Sequence, residues 1–154
     1  MITKWDKRFL RVAKEVSSWS KDPSSKIGAV ICSNRRILST GYNGFPSSIS
    51  DNSDRYTNRE EKYRYVVHAE MNAIYNATKN GISLQDSTVY VWGLPVCIEC
   101  AKGIISVGVN NVICAFDPEK TSSKWIESFE DTLDIFEESG IIVKTSTMKY
   151  VEGD

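Results

Sequence analysis

An alternation of strand-like and helix-like segments in the second half of the chain constrains the fold most strongly. Short apolar runs rich in β-branched residues occur at residues 89–92, 112–115 and 141–144, and helical segments are expected between them at 97–107 and 125–138. Strands that are joined through a helix run parallel, because a parallel pair needs a long crossover connection. A sheet of this kind is covered by helices on both faces.

The beginning of the chain predicts a helix followed by a β-hairpin. Large apolar residues recur at spacings of four and three from Trp5 to Trp19, which predicts an amphipathic helix that ends near residues 21–23. Two short apolar runs, 27–32 and 37–42, flank a polar turn and predict an antiparallel pair of strands.

Residues 43–59 are rich in Gly, Pro, Ser, Asn and Asp and predict a long loop, which in a compact domain is usually functional or disordered. A second helix is expected over residues 68–80, with Gly81 in a left-handed cap. Residues 145–154 are expected to be a polar tail or a short extra element. The predicted fold is a three-layer α/β/α sandwich, one domain over 1–154, whose five-stranded mixed sheet opens with an antiparallel hairpin.

Charge and composition exclude several classes of function. The 154 residues carry 19 basic and 20 acidic side chains, a formal net charge of −1, which offers no global attraction to nucleic acid. No stretch approaches the ~18 apolar residues that a membrane helix needs. The N-terminal residues lack the apolar core of a secretory signal, so the four cysteines are expected in a reducing, cytoplasmic compartment without disulfides.

The lone histidine and two of the cysteines form the main chemical motif. His68 begins one predicted helix, and Cys97 and Cys100 lie three residues apart at the start of another. Thiols at that spacing share one face of a helical turn, and a helix N-terminus stabilises thiolates. One imidazole and two thiolates suit Zn²⁺ and leave a fourth position for water, as in catalytic sites. Glu70 points to another side of the helix and stays free to transfer protons.

Different interpretations of the same residues stay open. A Cys-x-x-Cys pair is also the spacing of redox dithiols, and a single histidine is often a hydrogen-bonded core residue. Cys32 and Cys114 fall inside predicted strands, where free cysteine packs as a small apolar residue. If either of them were a fourth ligand, the site would belong to a noncatalytic zinc scaffold.

At these residues the chain resembles the zinc-dependent cytidine and deoxycytidylate deaminases, whose signature is H-x-E followed by P-C-x-x-C. HAE at 68–70 and PVCIEC at 95–100 match the two halves, with Val96 as an extra residue between the proline and the first cysteine. The likeness extends over about residues 5–144. It is strongest to the deoxycytidylate deaminases, through the segments SKDP at 20–23, IGAV at 27–30, GYNGFP at 41–46 and YVVHAEMNAI at 65–74.

The resemblance implies hydrolytic deamination of dCMP to dUMP with release of ammonia, a reaction that feeds dTMP synthesis. His68, Cys97 and Cys100 would hold one catalytic Zn²⁺, which would lower the pKa of its water. The resulting hydroxide would attack C4 of cytosine. Glu70 would take the water proton, deliver it to ring N3 and later help ammonia to leave.

The resemblance also implies positions for the substrate. Asn43 would lie near the sugar, and the backbone of Ala69 would read the edge of the base. Tyr65 and Trp92 are candidates for stacking on the base, although such rings are more often core residues. A phosphate needs a positive partner, and single surface cations are more often merely solvated. The candidate cations are Lys26, Arg59, Lys62 and Arg64.

Regulation is a further implication of the resemblance. Deoxycytidylate deaminases are homohexamers that dCTP with Mg²⁺ activates and dTTP inhibits. Asn43, Gly44 and Phe45 are the expected contacts of this effector near a subunit boundary. Asn43 could serve either nucleotide, and the residues that follow could instead be a disordered loop.

The same chemistry also admits different substrates. A deaminase that acts on a base in tRNA would grip several phosphates, for which residues 55–64 offer a local basic strip. Free cytidine and dCTP are two more candidate substrates. The near-neutral charge favours a small nucleotide, with no stable nucleic-acid complex and no membrane partner.

Overall fold

The computed structural model describes residues 1–153, and its five strands form one mixed sheet. The strands are β1 (Gly28–Ser33), β2 (Arg36–Tyr42), β3 (Thr88–Gly93), β4 (Asn111–Phe116) and β5 (Ile142–Ser146). Their spatial order is β2-β1-β3-β4-β5. β1 is antiparallel to β2 and to β3, whereas β3, β4 and β5 run parallel. The mixed sheet and its opening antiparallel hairpin are confirmed.

Helices cover both faces of this sheet, as the sandwich predicts. In chain order, the helices of the described residues are α1 (Lys4–Ser17), α2 (Ser53–Thr57), α3 (Arg59–Tyr65), α4 (Ala69–Lys79), α5 (Ile98–Ser106), α6 (Ser123–Ser139) and α7 (Met148–Glu152). α1 and α7 pack on one face, and α4, α5 and α6 pack on the other. Among residues 1–153, none of the helices combines the length and the apolar composition that crossing a bilayer requires.

Two glycines let helices approach the strands closely. A Cβ atom on Gly28 of β1 would lie 1.9 Å from the carbonyl oxygen of Ala13 in α1. A Cβ atom on Gly41 of β2 would lie 2.3 Å from the backbone nitrogen of Ala73 in α4. Both neighbours are backbone atoms, so α1 and α4 can reach these positions only because no side chain is present.

The first helix ends earlier than its apolar pattern predicts. α1 stops at Ser17, and the next amides form tight turns, from Trp19 to the carbonyl of Val16 and from Ser20 to that of Ser17. The hydroxyls of Ser17 and Ser18 donate to carbonyls of the last turn and compete with continued helix. Trp19 is consequently 53% exposed and leaves the apolar face.

The predicted loop at 43–59 is wrong in its second half, because it contains α2 and the start of α3. Each of these short helices begins at an asparagine whose side chain accepts a backbone N–H, from Asn52 to Arg55 and from Asn58 to Glu61. α3 buries none of its residues, so it has no apolar periodicity to detect. At the opposite end of the chain, the residues expected to form a tail or a short extra element form α7.

Candidate active site

The N-termini of two helices meet at the predicted zinc ligands. His68 is the N-cap of α4 and Cys97 is the N-cap of α5, both with extended backbone, and neither uses its side chain as a cap. The side chains turn toward each other instead. Nδ1 of His68 lies 3.3 Å from Sγ of Cys97 and 3.3 Å from Sγ of Cys100. The three donor atoms lie within 4.8 Å of one another.

The donor set fits Zn²⁺. An imidazole nitrogen and two sulfurs are borderline-soft ligands, and two thiolates balance the charge of the ion. Within residues 1–153, no fourth His, Cys, Asp or Glu joins this group. Cys32 is buried on the α1 face of the sheet, and Cys114 is buried within β4, where burial raises the pKa of each thiol to about 12. Neither behaves as a fourth ligand.

The two thiols compete for protons. The hydrogen bond from Cys100 lowers the pKa of the Cys97 thiol to about 4, while that bond and burial raise the pKa of Cys100. The hydrogen bond with Cys97 also raises the pKa of His68. One thiolate beside one thiol is therefore favoured in the protein alone, and a divalent cation between the sulfurs would favour the second thiolate.

Glu70 lies in the first turn of α4 and is only 4% exposed. Burial raises the pKa of its carboxyl, and the neighbouring His68 opposes that rise. A carboxyl with a raised pKa beside a metal-binding group is suited to accepting and returning a proton.

His68, Glu70 and Cys97 line a cavity of about 570 Å³, and Cys100 is buried behind them. Asn43 and Ala69 line the cavity, together with Arg59 and Lys62. The side chain of Asn43 also forms hydrogen bonds within the fold. Its Oδ1 accepts the N–H of Ile27 at 2.8 Å, and its Nδ2 donates to the carbonyl of Ser25 at 2.8 Å.

Not every candidate from the sequence lies at the cavity. The ammonium of Lys26 donates to the carbonyl of Ser20, and its side chain is exposed outside the cavity wall. Tyr65 packs against Phe45 and against the guanidinium of Arg64, away from that wall. Trp92 is buried on the opposite face of the sheet with α1, so it cannot stack on a ligand here.

Lys62 is not a free cation. Its ammonium lies 2.9 Å from Oδ2 of the buried Asp22, which also accepts the backbone N–H groups of Ser24 and Ser25. This pair fixes the loop before β1 and supplies one wall of the cavity.

Several cavity residues were not predicted from the sequence as site residues, among them Tyr63, Lys124 and Trp125. The ring of Trp125 packs edge-on against His68 with centroids 5.9 Å apart. The ammonium of Lys124 lies 5.0 Å from the Trp125 ring and 5.4 Å from that of Tyr63. Lys124 and Trp125 belong to α6, and nothing in the local sequence of that helix connects it with a distant histidine.

Gly44 and Phe45 line a second cavity of about 560 Å³, whose lining residues differ from those of the first. Phe45 stacks on Tyr56 with ring centroids 4.4 Å apart and an interplanar angle of 7°. Lys21, paired with Asp51 at 2.8 Å, also lines this second cavity. Asn43 lines the first cavity, so the structure separates it from Gly44 and Phe45.

Comparison with known proteins decides the family. A sequence model of the cytidine and deoxycytidylate deaminase zinc-binding region matches residues 3–116. The chain belongs to the cytidine and deoxycytidylate deaminases. The match contains His68, Glu70, Cys97 and Cys100, and it ends before α6.

Relatives in this deaminase family cover most of the chain. An uncharacterized deaminase from the luxG 3′ region of Aliivibrio fischeri is 42% identical over 143 residues, 93% of this chain and 94% of that protein. Mouse deoxycytidylate deaminase is 37% identical over 154 residues, 95% of this chain and 82% of the mouse protein.

Solved structures of the dCMP deaminase from cyanophage S-TIM5 have the same fold. The apo form has a TM-score of 0.74 and 26% identity, covering 95% of this chain and 100% of the phage chain. The complex with dCMP and dUMP has a TM-score of 0.73 and 26% identity, covering 95% and 99%.

Proposed function

We propose that the protein is a zinc-dependent deoxycytidylate deaminase that hydrolyses dCMP to dUMP and ammonia. The observation that carries the proposal is the cluster of His68, Cys97 and Cys100 beside the buried carboxyl of Glu70. His68, Cys97 and Glu70 line one cavity. The likeness to the mouse enzyme and to a phage enzyme crystallised with dCMP and dUMP supports a deoxycytidine nucleotide as the substrate.

His68, Cys97 and Cys100 are the proposed zinc ligands, and a bound zinc supplies Lewis-acid activation of water. Glu70 takes a proton from the attacking water and delivers it to N3 of cytosine. The same carboxylate then takes the proton of the hydroxyl group added at C4 and passes it to the amino group, so that the C–N bond breaks, ammonia leaves and C4 keeps a carbonyl oxygen. The raised pKa of Glu70 helps the carboxyl to hold the proton between these transfers.

Substrate contacts follow from the residues of the cavity wall. The backbone of Ala69 and the side chain of Asn43 are the proposed contacts of the base and the sugar. Arg59 and Lys124 are the proposed partners of the phosphate, because Lys62 is already paired with Asp22. The proposal leaves out Lys26, Arg64 and Tyr65, which lie outside the wall.

Regulation by dCTP with Mg²⁺ and by dTTP is proposed at the second cavity, where Gly44 and Phe45 lie. The stacked pair of Phe45 and Tyr56 is chemically suited to a nucleotide base. Lys21 is suited to a phosphate, because its ion pair with Asp51 is solvent-exposed, unlike that of Lys62 with the buried Asp22. This part of the proposal rests on the family resemblance. The homohexamer stays a prediction on the same ground, and the cytoplasmic location stays a prediction from the N-terminal residues and the cysteines.

The test is an ultraviolet assay of zinc-loaded protein on dCMP, CMP, cytidine and dCTP. Loss of cytosine absorbance is expected with dCMP in preference to CMP, cytidine and dCTP. Glu70→Gln should bind zinc as tightly as the wild type and lose turnover by about 10²–10⁴-fold, because the amide cannot shuttle protons. Folded, zinc-loaded wild type that produces no dUMP from dCMP would contradict the proposal.

The same assay tests regulation. We expect dCTP with Mg²⁺ to raise the rate and dTTP to lower it. A rate that dTTP leaves unchanged up to millimolar concentration would reject the regulation and leave the catalysis standing. Filter binding of tRNA at two salt concentrations tests whether the substrate is instead an RNA, which requires affinity that falls steeply with salt.

A further inference from the structure

Helix α6 lies outside the region that matches the family, yet one of its faces lies against the candidate zinc ligands. Trp125, Ser128 and Thr132 are separated by three and four residues, so they share one side of the helix. Trp125 packs against His68, and the two hydroxyl residues contact the loop that carries Cys97. The three contacts place α6 directly behind the ligands.

Ser128 caps the N-terminus of α5 from outside that helix. Its Oγ accepts the backbone N–H of Ile98 at 3.0 Å, one of the amides that a helix N-terminus leaves without an internal partner. The N-cap residue itself, Cys97, makes no side-chain cap because its sulfur faces His68. Ser128 therefore supplies the cap that Cys97 gives up.

Thr132 holds the residue that precedes Cys97. Its hydroxyl, fully buried, donates to the carbonyl of Val96 at 2.9 Å. Val96 is itself fully buried, in the core cluster that also contains Cys114 of β4. The extra residue between the proline and the first cysteine of the signature is thus held by a hydrogen bond from α6 and by burial in the core.

We infer that Ser128 and Thr132 are positioning residues, which hold the 96–98 backbone so that the sulfur of Cys97 faces His68 and Cys100 for zinc. The inference rests on the proposed zinc site and concerns how tightly and with what geometry the metal is held. Groups that orient metal ligands typically change metal affinity by about 10–100-fold when they are removed.

The experiment measures the zinc dissociation constant by chelator competition and the thiolate-to-metal absorption of the Co²⁺ form. Thr132→Val removes the hydroxyl at nearly constant volume, and Thr132→Ser retains it; Ser128→Ala removes the external cap. We expect Thr132→Val and Ser128→Ala each to weaken zinc binding by about 10-fold or more and to alter the Co²⁺ spectrum. Thr132→Ser should stay close to the wild type in both measurements.

Ser87→Ala is the matched control for loss of a buried hydroxyl. Ser87 is fully buried and its Oγ donates to the carbonyl of Leu84, in the turn before β3. This variant should lower the free energy of unfolding of the metal-free protein and leave zinc affinity unchanged.

The outcomes separate the inference from the proposed function. Wild type that binds no zinc would overturn the proposed function. Wild type that binds zinc, together with Thr132→Val and Ser128→Ala variants that bind it equally tightly with an unchanged Co²⁺ spectrum, would overturn the inference alone. If Thr132→Val does not fold, Ser128→Ala decides, because Ser128 is only half-buried and its loss leaves the core packing intact.

Discussion

Asp6 joins three parts of the fold through one carboxylate. Its Oδ2 accepts the backbone N–H of Thr3 at 2.8 Å, and Thr3 returns the bond to the Asp6 amide, which makes a capping box at the start of α1. Its Oδ1 accepts the hydroxyl of Tyr90 in β3 at 3.0 Å. Lys144 of β5 lies 3.9 Å away. Asp6 thereby connects α1, which contains none of the candidate zinc ligands, to β3, the strand that precedes Cys97.

Tyr90→Phe should therefore lower the free energy of unfolding at pH 7 by about 1–3 kcal/mol, because the buried carboxylate loses a donor. Burial, followed by the bond to Asp6, raises the pKa of Tyr90. An unfolded tyrosine ionises near pH ~10, so the phenol's contribution is complete below that pH and is lost as the pH rises through the higher folded pKa. Urea titrations should find that the free energies of unfolding of the wild type and Tyr90→Phe converge above pH ~10. A difference between these free energies that stays constant with pH would contradict the assignment of the hydrogen bond.

The candidate ligands could be predicted from the sequence, because His68, Cys97 and Cys100 are rare residue types at helix starts. The roles of Ser128 and Thr132 could not be predicted in the same way. Serine and threonine are common on helices, and their role depends on which backbone groups the tertiary fold brings to them.

At the scale of elements, the contact between α1 and β1 depends on Gly28. Gly28→Ala should destabilise the protein by about 1–3 kcal/mol or more, because the added methyl meets the backbone of Ala13 at 1.9 Å. Gly103→Ala in α5 is the matched comparison. There the only close approach of the methyl is to the flexible end of Met71, at 2.7 Å from its sulfur, and alanine favours the helix by up to about 1 kcal/mol. The melting temperature of Gly103→Ala should be close to that of the wild type, and that of Gly28→Ala should be well below it. Equal losses of melting temperature would contradict the close contact between Gly28 and α1.

The elements that the sequence predicted well are those with an apolar face. β3 and β4 each extend one residue beyond both ends of their predicted runs, since backbone pairing continues past the apolar residues. β5 begins one residue later than predicted and ends two residues later. α2 and α3 were missed for the opposite reason. Their starts are set by Asn52 and Asn58, and their lengths of 5 and 7 residues leave no room for a periodic pattern.

At the scale of the whole molecule, the candidate zinc site joins distant parts of the chain. His68 is separated from Cys97 by 29 residues and from Cys100 by 32. The donors meet only after α4 and α5 have packed on the sheet, with α6 behind them. Metal binding and folding of this face are therefore expected to be coupled.

Removal of zinc should lower the stability of the whole fold, because a ligand that binds only the folded state stabilises it by RT ln(1 + [L]/Kd), about 4 kcal/mol at 1,000 times Kd. Urea unfolding with and without a chelator measures this difference. Cys100→Ser should abolish most of the stabilisation by zinc, since one ligand is lost. Cys32→Ala is the control: its thiol is buried on the opposite face of the sheet, so the variant should be less stable in both conditions and keep the full effect of zinc. An effect of zinc that survives Cys100→Ser, or that disappears in Cys32→Ala, would place the metal elsewhere in the molecule.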